Sequence, residues 1–403
     1  MLSRRSFVAT AAAAGLSTGH ARSASSTSRP RTQDVADRFD PWIEIDVSAL
    51  RYNVEVIARL THTRPILAVV KNNAYGLGLD TVAPILAEWP EIAGFAVVKA
   101  DAAFALREAG ITKPVLLMGM FPPSAGPDLI ARRISISLYT DDAGARLDAL
   151  QATNPVHAHV YLDTGMSRMG MPYHRAEPLL ETLGERHDVV LDGTYMAFTE
   201  ETDFDPEQLR RFRAVTDAAR RDGVELGALH AASSNGVYHL PDAHLDMVRP
   251  GIALYGAYPS RPDEERAKAE LKPAFRLLAR VVRVERLRPG DSVSYGRRYT
   301  AQRPIWIATI PAGHADGYPR GAVNGARVLI NGRSYPVIGA VSASHSIVEV
   351  GDEREVSVGD EATLVGYGHP SLHPNEVARV TGASVYDILM HLNPSLPKAL
   401  RTS

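Results

Sequence analysis

The stretch Ala68–Gly78, AVVKNNAYGLG, carries a strongly apolar run into Lys71, two asparagines, Tyr75 and two spaced glycines. A lysine ending such a run sits at the mouth of a barrel, where α/β enzymes place their chemistry. An amine there offers nucleophilic and base chemistry. The alternative is a lysine merely solvated at a strand end. Other chemistries are closed: the 403 residues include no cysteine, which excludes disulfides, thiolate metal sites and cysteine nucleophiles. A net charge of −2 gives no electrostatic case for nucleic acid.

The elements that must position Lys71 can be read from pattern. From Trp42 onward, short apolar runs recur: PILAVV, GFAVV, PVLLMGM, ISISLYT, AHVYLD, LDGTYMAF, LGALHA and LDMVRPG. Their lengths and β-branched content suit strands buried on both faces. Between them, ADAAFALREAG and PEQLRRFRAVTDAARRDG carry helical spacing and stop at glycine. Eight such alternations predict a TIM-like (β/α)8 barrel over residues 41–272 rather than an open sheet.

After Pro273 the texture changes. LLARVVRVERLRPGDSVSYG, PIWIATIPAG, ARVLINGRSYPVIGAVSA and EATLVGYG alternate apolar and polar residues between turn formers, predicting a mostly antiparallel β domain over 273–403. INGR reads as a tight hairpin. WIEIDVSAL, residues 42–50, is a candidate to pair with that domain. At the other end, Arg4 and Arg5 precede an alanine-rich run and small residues, the pattern of a twin-arginine export signal over 1–24 with a linker over 25–40 after it. The run is too short to span a membrane, so the expected product is soluble and periplasmic.

At this point the residues resemble a known family. AVVKNNAYGLG, LDTGMSRMG, MVRPGIALYG, DSVSYGRRYTA, GHADGYPRG and YDIL look like the motifs of alanine racemases, in that family's order and over nearly all of Trp42–Leu396. The resemblance implies a pyridoxal 5′-phosphate (PLP) enzyme that removes an amino acid's α-proton from one face and returns one to the other. Lys71 would be the Schiff-base lysine and the base on one face. Tyr295, brought from the other subunit of a homodimer, would be the base on the other, its phenol tuned by cations or hydrogen bonds because a free tyrosine titrates near pH ~10. Arg249 would face the cofactor's ring nitrogen and, keeping its own proton, leave that nitrogen unprotonated. Tyr75, Ser234 and the backbone around Gly251 and Ile252 would take the phosphate. Arg168 would pair with the substrate carboxylate.

Departures from the family pattern cluster around the substrate. Ser342-Ala343-Ser344-His345 stands where alanine racemases carry Cys-Met-Asp-Gln, leaving a backbone amide at Ala343 but no bulky entrance side chain. Tyr161 replaces a lysine that is carbamylated in many members, Ala197 a ring-stacking histidine, and Pro394 a phosphate-binding tyrosine. Both proton-transfer residues remain while the specificity shell does not, as in periplasmic broad-specificity amino-acid racemases. The expectation is racemisation with relaxed side-chain specificity. A strict alanine racemase is the nearest alternative. An exported, non-catalytic binder of PLP or D-amino acids is the alternative from another class.

Overall fold

A computed structural model describes Val35 and residues 37–402. The paired arginines, the export segment and most of the 25–40 linker lie outside the described residues.

The first strand, β1 (Trp42–Asp46), leads straight into the helix Val47–Leu60. Asp46 caps that helix, its Oδ1 accepting from the Ala49 N–H at 2.9 Å. The barrel strands come next: β2 (Ile66–Val69), β3 (Ile92–Val97), β4 (Val115–Leu117), β5 (Ile134–Leu138) and β6 (Val156–Asp163), the short β7 (Met171–Pro172) beside β6, then β8 (Val189–Tyr195) and β9 (Ala228–His230). All pair in parallel in the order β2-β3-β4-β5-β6-β8-β9.

Closure differs from the eight full strands expected. LDMVRPG joins β9 to β2 through isolated parallel bridges, His230 with Met247 and Ile66 with Val248. The Leu67 and Val69 N–H groups donate to the Val248 and Pro250 carbonyls at 2.9 and 3.0 Å. Pro250 has no N–H to return, which ends the ladder there. The result is still a closed, curled parallel sheet with Lys71 at its carboxyl rim.

The second unit contains β10 (Phe275–Arg280), β11 (Arg283–Leu287), the two-stranded ribbon β12 (Ser292–Val293) and β13 (Tyr299–Thr300), β14 (Ile305–Ile310), β15 (Arg327–Ile330), β16 (Arg333–Ile338), β17 (Ser346–Gly351), β18 (Glu361–Val365) and β19 (Lys398–Arg401). The large sheet runs β11-β14-β17-β16-β15-β18-β10-β1-β19. Thus β1 lies in this sheet, antiparallel to β10 and parallel to β19. INGR turns β15 into β16 with both Asn331 and Gly332 at positive φ, as a two-residue hairpin demands. One continuous buried core joins barrel and sheet, and a small separate core of Leu287, Val293, Ala301, Ile305, Ile307 and Ile338 supports the ribbon that carries Tyr295.

Among the described residues no helix is long and apolar enough to cross a membrane, and no group of three or more acidic or histidine side chains is arranged to hold a metal ion.

Candidate active site

Lys71 leaves the end of β2 half-buried, with no hydrogen bond or ion pair to its amine among the described residues. The residues after it do not form a regular right-handed helix. Asn72, Asn73, Ala74 and Tyr75 all adopt the left-handed conformation, at φ 52, 57, 51 and 55°. Contacts along the turn hold it: the Leu79 N–H donates to Asn73 Oδ1 at 2.8 Å, and Asn72 Nδ2 donates to Met390 Sδ at 3.1 Å. The turn drives Tyr75 inward against Tyr255, with ring centroids 5.0 Å apart.

Burial pushes the Lys71 pKa down, and the positive charge of Arg168 lowers it further against the opposing pull of Glu200. A larger share of the amine is therefore neutral near neutral pH, the form that attacks a carbonyl or accepts a proton. Arg168 stands on the loop after β6, exposed and without an ion pair among the described residues. That loop is fixed by Asp163, whose Oδ1 accepts from the N–H groups of Gly165, Met166 and Ser167 at 2.9, 2.9 and 3.1 Å.

Tyr75 is a neutral phenol at all ordinary pH values, its pKa raised well above the usual range by burial, then by Tyr386, Tyr255 and Glu200. Gly251 makes room for it: a Cβ there would lie 2.0 Å from the Tyr75 hydroxyl oxygen. Ser234 Oγ accepts from the N–H groups of Gly251 at 3.0 Å and Ala253 at 3.2 Å. Gly251 therefore has no amide left for a phosphate and contributes space instead. The Ser234 hydroxyl hydrogen and the Ile252 N–H remain without acceptors among the described residues.

Arg249 is buried, and burial lowers its pKa to about 10 against the raising influence of Tyr195 and Tyr161, so it stays protonated at neutral pH. Its Nη1 donates to the His230 carbonyl at 2.7 Å and its Nη2 to the Met196 carbonyl at 2.6 Å. Its Nε–H has no acceptor among the described residues.

Tyr295, by contrast, is 80% exposed on the β domain. It lines a shallow pocket with Ser294, Ala340, Ser342 and His345, and none of the residues around Lys71 borders that pocket. Ser342 Oγ accepts from the His345 N–H at 2.9 Å, closing a turn in which exposed Ala343 keeps an N–H without a partner among the described residues. The candidate residues therefore form two groups: Lys71, Tyr75, Arg168, Ser234, Arg249, Gly251 and Ile252 around the barrel mouth, and Tyr295 with Ala343 on the β domain.

Two family models match this chain: the alanine racemase N-terminal domain over residues 45–259 and the alanine racemase C-terminal domain over residues 274–400. The chain belongs to the alanine racemase family. It is 36% identical over 367 residues to the alanine racemase of Carboxydothermus hydrogenoformans, covering 89% of this chain and 98% of that protein. It is also 36% identical to the alanine racemase of Desulfovibrio desulfuricans, with 89% and 97% covered. The crystal structure of alanine racemase from D-cycloserine-producing Streptomyces lavendulae superposes with a TM-score of 0.83 at 28% identity, over 91% of this chain and 98% of that one. The family is PLP-dependent, and the chain is an isomerase of this kind.

The barrel residues fit that cofactor. An anionic phosphate needs donors, and Tyr75, Ser234 and Ile252 supply hydrogens with no acceptor among the described residues. A heterocyclic nitrogen needs one donor, and the Arg249 Nε–H has no acceptor among the described residues. A carbonyl needs a neutral amine, and the lowered pKa of Lys71 favours that form.

Several residues of the site escaped the sequence reading. Glu200, at φ 66°, accepts from Ser233 Oγ at 3.3 Å and acts electrostatically on Lys71. Its strained loop is fastened by Gln208 Oε1, which accepts from the Thr199 N–H at 2.8 Å, and by Asp205 Oδ1, which accepts from the Glu201 N–H at 3.2 Å. His159, Tyr195 and His230 line the barrel interior beside Tyr161, which the sequence already singles out. The signal was present in VHAHVYLD, where polar aromatic residues alternate through an otherwise apolar strand.

Proposed function

We propose that this chain racemises free amino acids, including ones larger than alanine, by moving protons between the substrate's α-carbon and two side chains on opposite faces. Bound PLP supplies the electron sink that makes an α-proton removable. The Lys71 Nζ exchanges a proton on one face. The hydroxyl of Tyr295 of the partner subunit exchanges one on the other, in a homodimer with shared active sites. Arg168 and the partner subunit's Ala343 N–H hold the substrate carboxylate.

The carrying observation is the division of the site: a half-buried amine on the barrel with no hydrogen bond or ion pair among the described residues, and an exposed tyrosine lining a pocket that none of the amine's neighbours borders. A non-catalytic binder would need the first group but not the second.

Relaxed specificity rests on what the substrate end lacks. Ala343 carries only a methyl group, and Tyr161 lies flat on Tyr195 at 4.4 Å between centroids, with no hydrogen bond to Arg168. A hydrophobic pocket gains only ~1–3 kcal/mol per methylene, so rejection of larger substrates needs bulk that is missing here. The relatives' names favour alanine itself as substrate, and one experiment separates the readings: α-proton exchange into deuterated water over a panel of amino acids. Comparable exchange for alanine, serine, methionine, lysine and arginine is expected. A hundredfold preference for alanine would establish the strict enzyme instead.

Arg4 and Arg5 support export to the periplasm as a folded, cofactor-loaded protein. Replacing both by lysine should leave active protein in the cytoplasm, and undiminished periplasmic activity would refute this.

A further inference from the structure

Behind Arg249, on the side away from the barrel mouth, a chain of rings runs through the barrel interior. Arg249 Nη1 lies 2.8 Å from His230 Nδ1, and His230 Nε2 lies 2.9 Å from His159 Nδ1. Both histidines are buried. A guanidinium carries donors only, so His230 Nδ1 must accept. The hydrogen of a neutral His230 then sits on Nε2, and His159 Nδ1 must accept it. A protonated His230 would set N–H against N–H.

The surroundings leave these rings no freedom to turn. Tyr195 stacks on His230 at 5.2 Å and 20°, and its hydroxyl lies 2.9 Å from Ser137 Oγ. Gly193 stands against the Nδ1–Cε1 edge of His159, where a Cβ would come within 2.6 Å of His159 Nδ1 and 2.7 Å of the Ala228 carbonyl oxygen. The glycine is needed for space, not for its backbone conformation. Burial, helped by the Arg249 charge, holds His230 well below the ordinary imidazole range.

We propose that His159 is a positioning residue: by accepting the His230 Nε2–H it fixes the tautomer that receives Arg249 Nη1, so that the Arg249 Nε–H stays turned to the cofactor ring, and Gly193 is the gap that admits the His159 ring. The proposal rests on the assignment of Arg249 to that ring.

Nitrogen-15 NMR of the histidine-labelled holoenzyme tests it directly, with His230 expected as the Nε2–H tautomer. His159→Leu removes the acceptor, whereas His159→Asn keeps an oxygen near the Nδ1 position. The leucine variant should show a mixture of His230 tautomers, a shifted visible band of the bound cofactor and about tenfold weaker cofactor retention, the scale of one lost hydrogen bond. The asparagine variant should restore all three. If His159→Leu does not fold, the His230 tautomer of the wild-type holoenzyme and the cofactor band of His159→Asn still decide the assignment.

A wild-type His230 protonated on Nδ1 would overturn the assignment. So would a leucine variant with unchanged tautomer and cofactor band, or an asparagine variant as impaired as the leucine one. These readouts need no turnover: a holoenzyme that racemised nothing would sink the functional reading and leave the tautomer result standing.

Discussion

At the scale of single residues, the chemistry turns on how one amine is kept reactive. Burial and the nearby Arg168 both favour the neutral form of Lys71, and Glu200 opposes them. Removing the Arg168 charge therefore raises the Lys71 pKa. In Arg168→Ala, cofactor attachment to the cofactor-free protein, monitored by the growth of its visible band, should need a higher pH than in wild type. An unshifted or downshifted profile would show that Arg168 exerts no such influence. Lys71→Ala should lose any borohydride-reducible link to the cofactor together with racemisation. A persisting link would place the attachment on another lysine. Lys71 was legible because AVVKNNAYGLG is followed by five further motifs in the family's order; alone, a lysine ending an apolar run reads as well as one solvated at a strand end. Glu200 was not, because a glutamate in an acidic loop looks solvated until the fold turns that loop over the barrel mouth.

At the scale of elements, the left-handed turn after β2 is the feature the sequence conceals. Each non-glycine residue in that conformation costs about 1–2 kcal/mol, and four stand in succession from Asn72 to Tyr75. Asparagine tolerates it, while alanine and tyrosine offer no such hint. The support for the turn comes from far along the chain, where the helix Val385–Met390 packs on it. Gly76 marks the closest approach: its φ is 89°, and a Cβ would fall 2.2 Å from the Leu389 carbonyl oxygen. Gly76→Ala should destabilise the protein by about 3 kcal/mol or more, combining backbone strain with a clash against rigid backbone. The midpoint of denaturant unfolding measures it, and a loss below about 1 kcal/mol would mean that the helix yields easily. The strands themselves were legible because both faces of a closed parallel sheet are buried, which makes runs such as Ile66–Val69 and Val115–Leu117 apolar throughout. The eighth run read as a strand for the same reason, yet Pro250 limits it to bridges.

At the scale of the whole molecule, the two groups of site residues pose a problem of assembly. Both groups could be named from sequence motifs, but no pattern along a chain tells whether Tyr295 reaches its own Lys71 or another copy's. The fold supplies the argument. Tyr295 sits on a ribbon with its own small core, exposed to solvent, while the buried core that joins the barrel and the large sheet is continuous elsewhere. A symmetric dimer could bring each exposed tyrosine to the opposite barrel mouth, and two shared sites then arise from one interface. Tyr295→Phe alone should reduce racemisation by orders of magnitude and keep the cofactor band. Mixing it with Lys71→Ala gives a sharper test. In a heterodimer one site carries both substitutions and the other carries neither. Random reassortment makes half of all dimers mixed, with one intact site in each, so roughly a quarter of wild-type activity should return from two inactive parents. If labelled subunits demonstrably exchange and no activity returns, Lys71 and Tyr295 must serve the same chain's site, and the shared-site dimer is wrong.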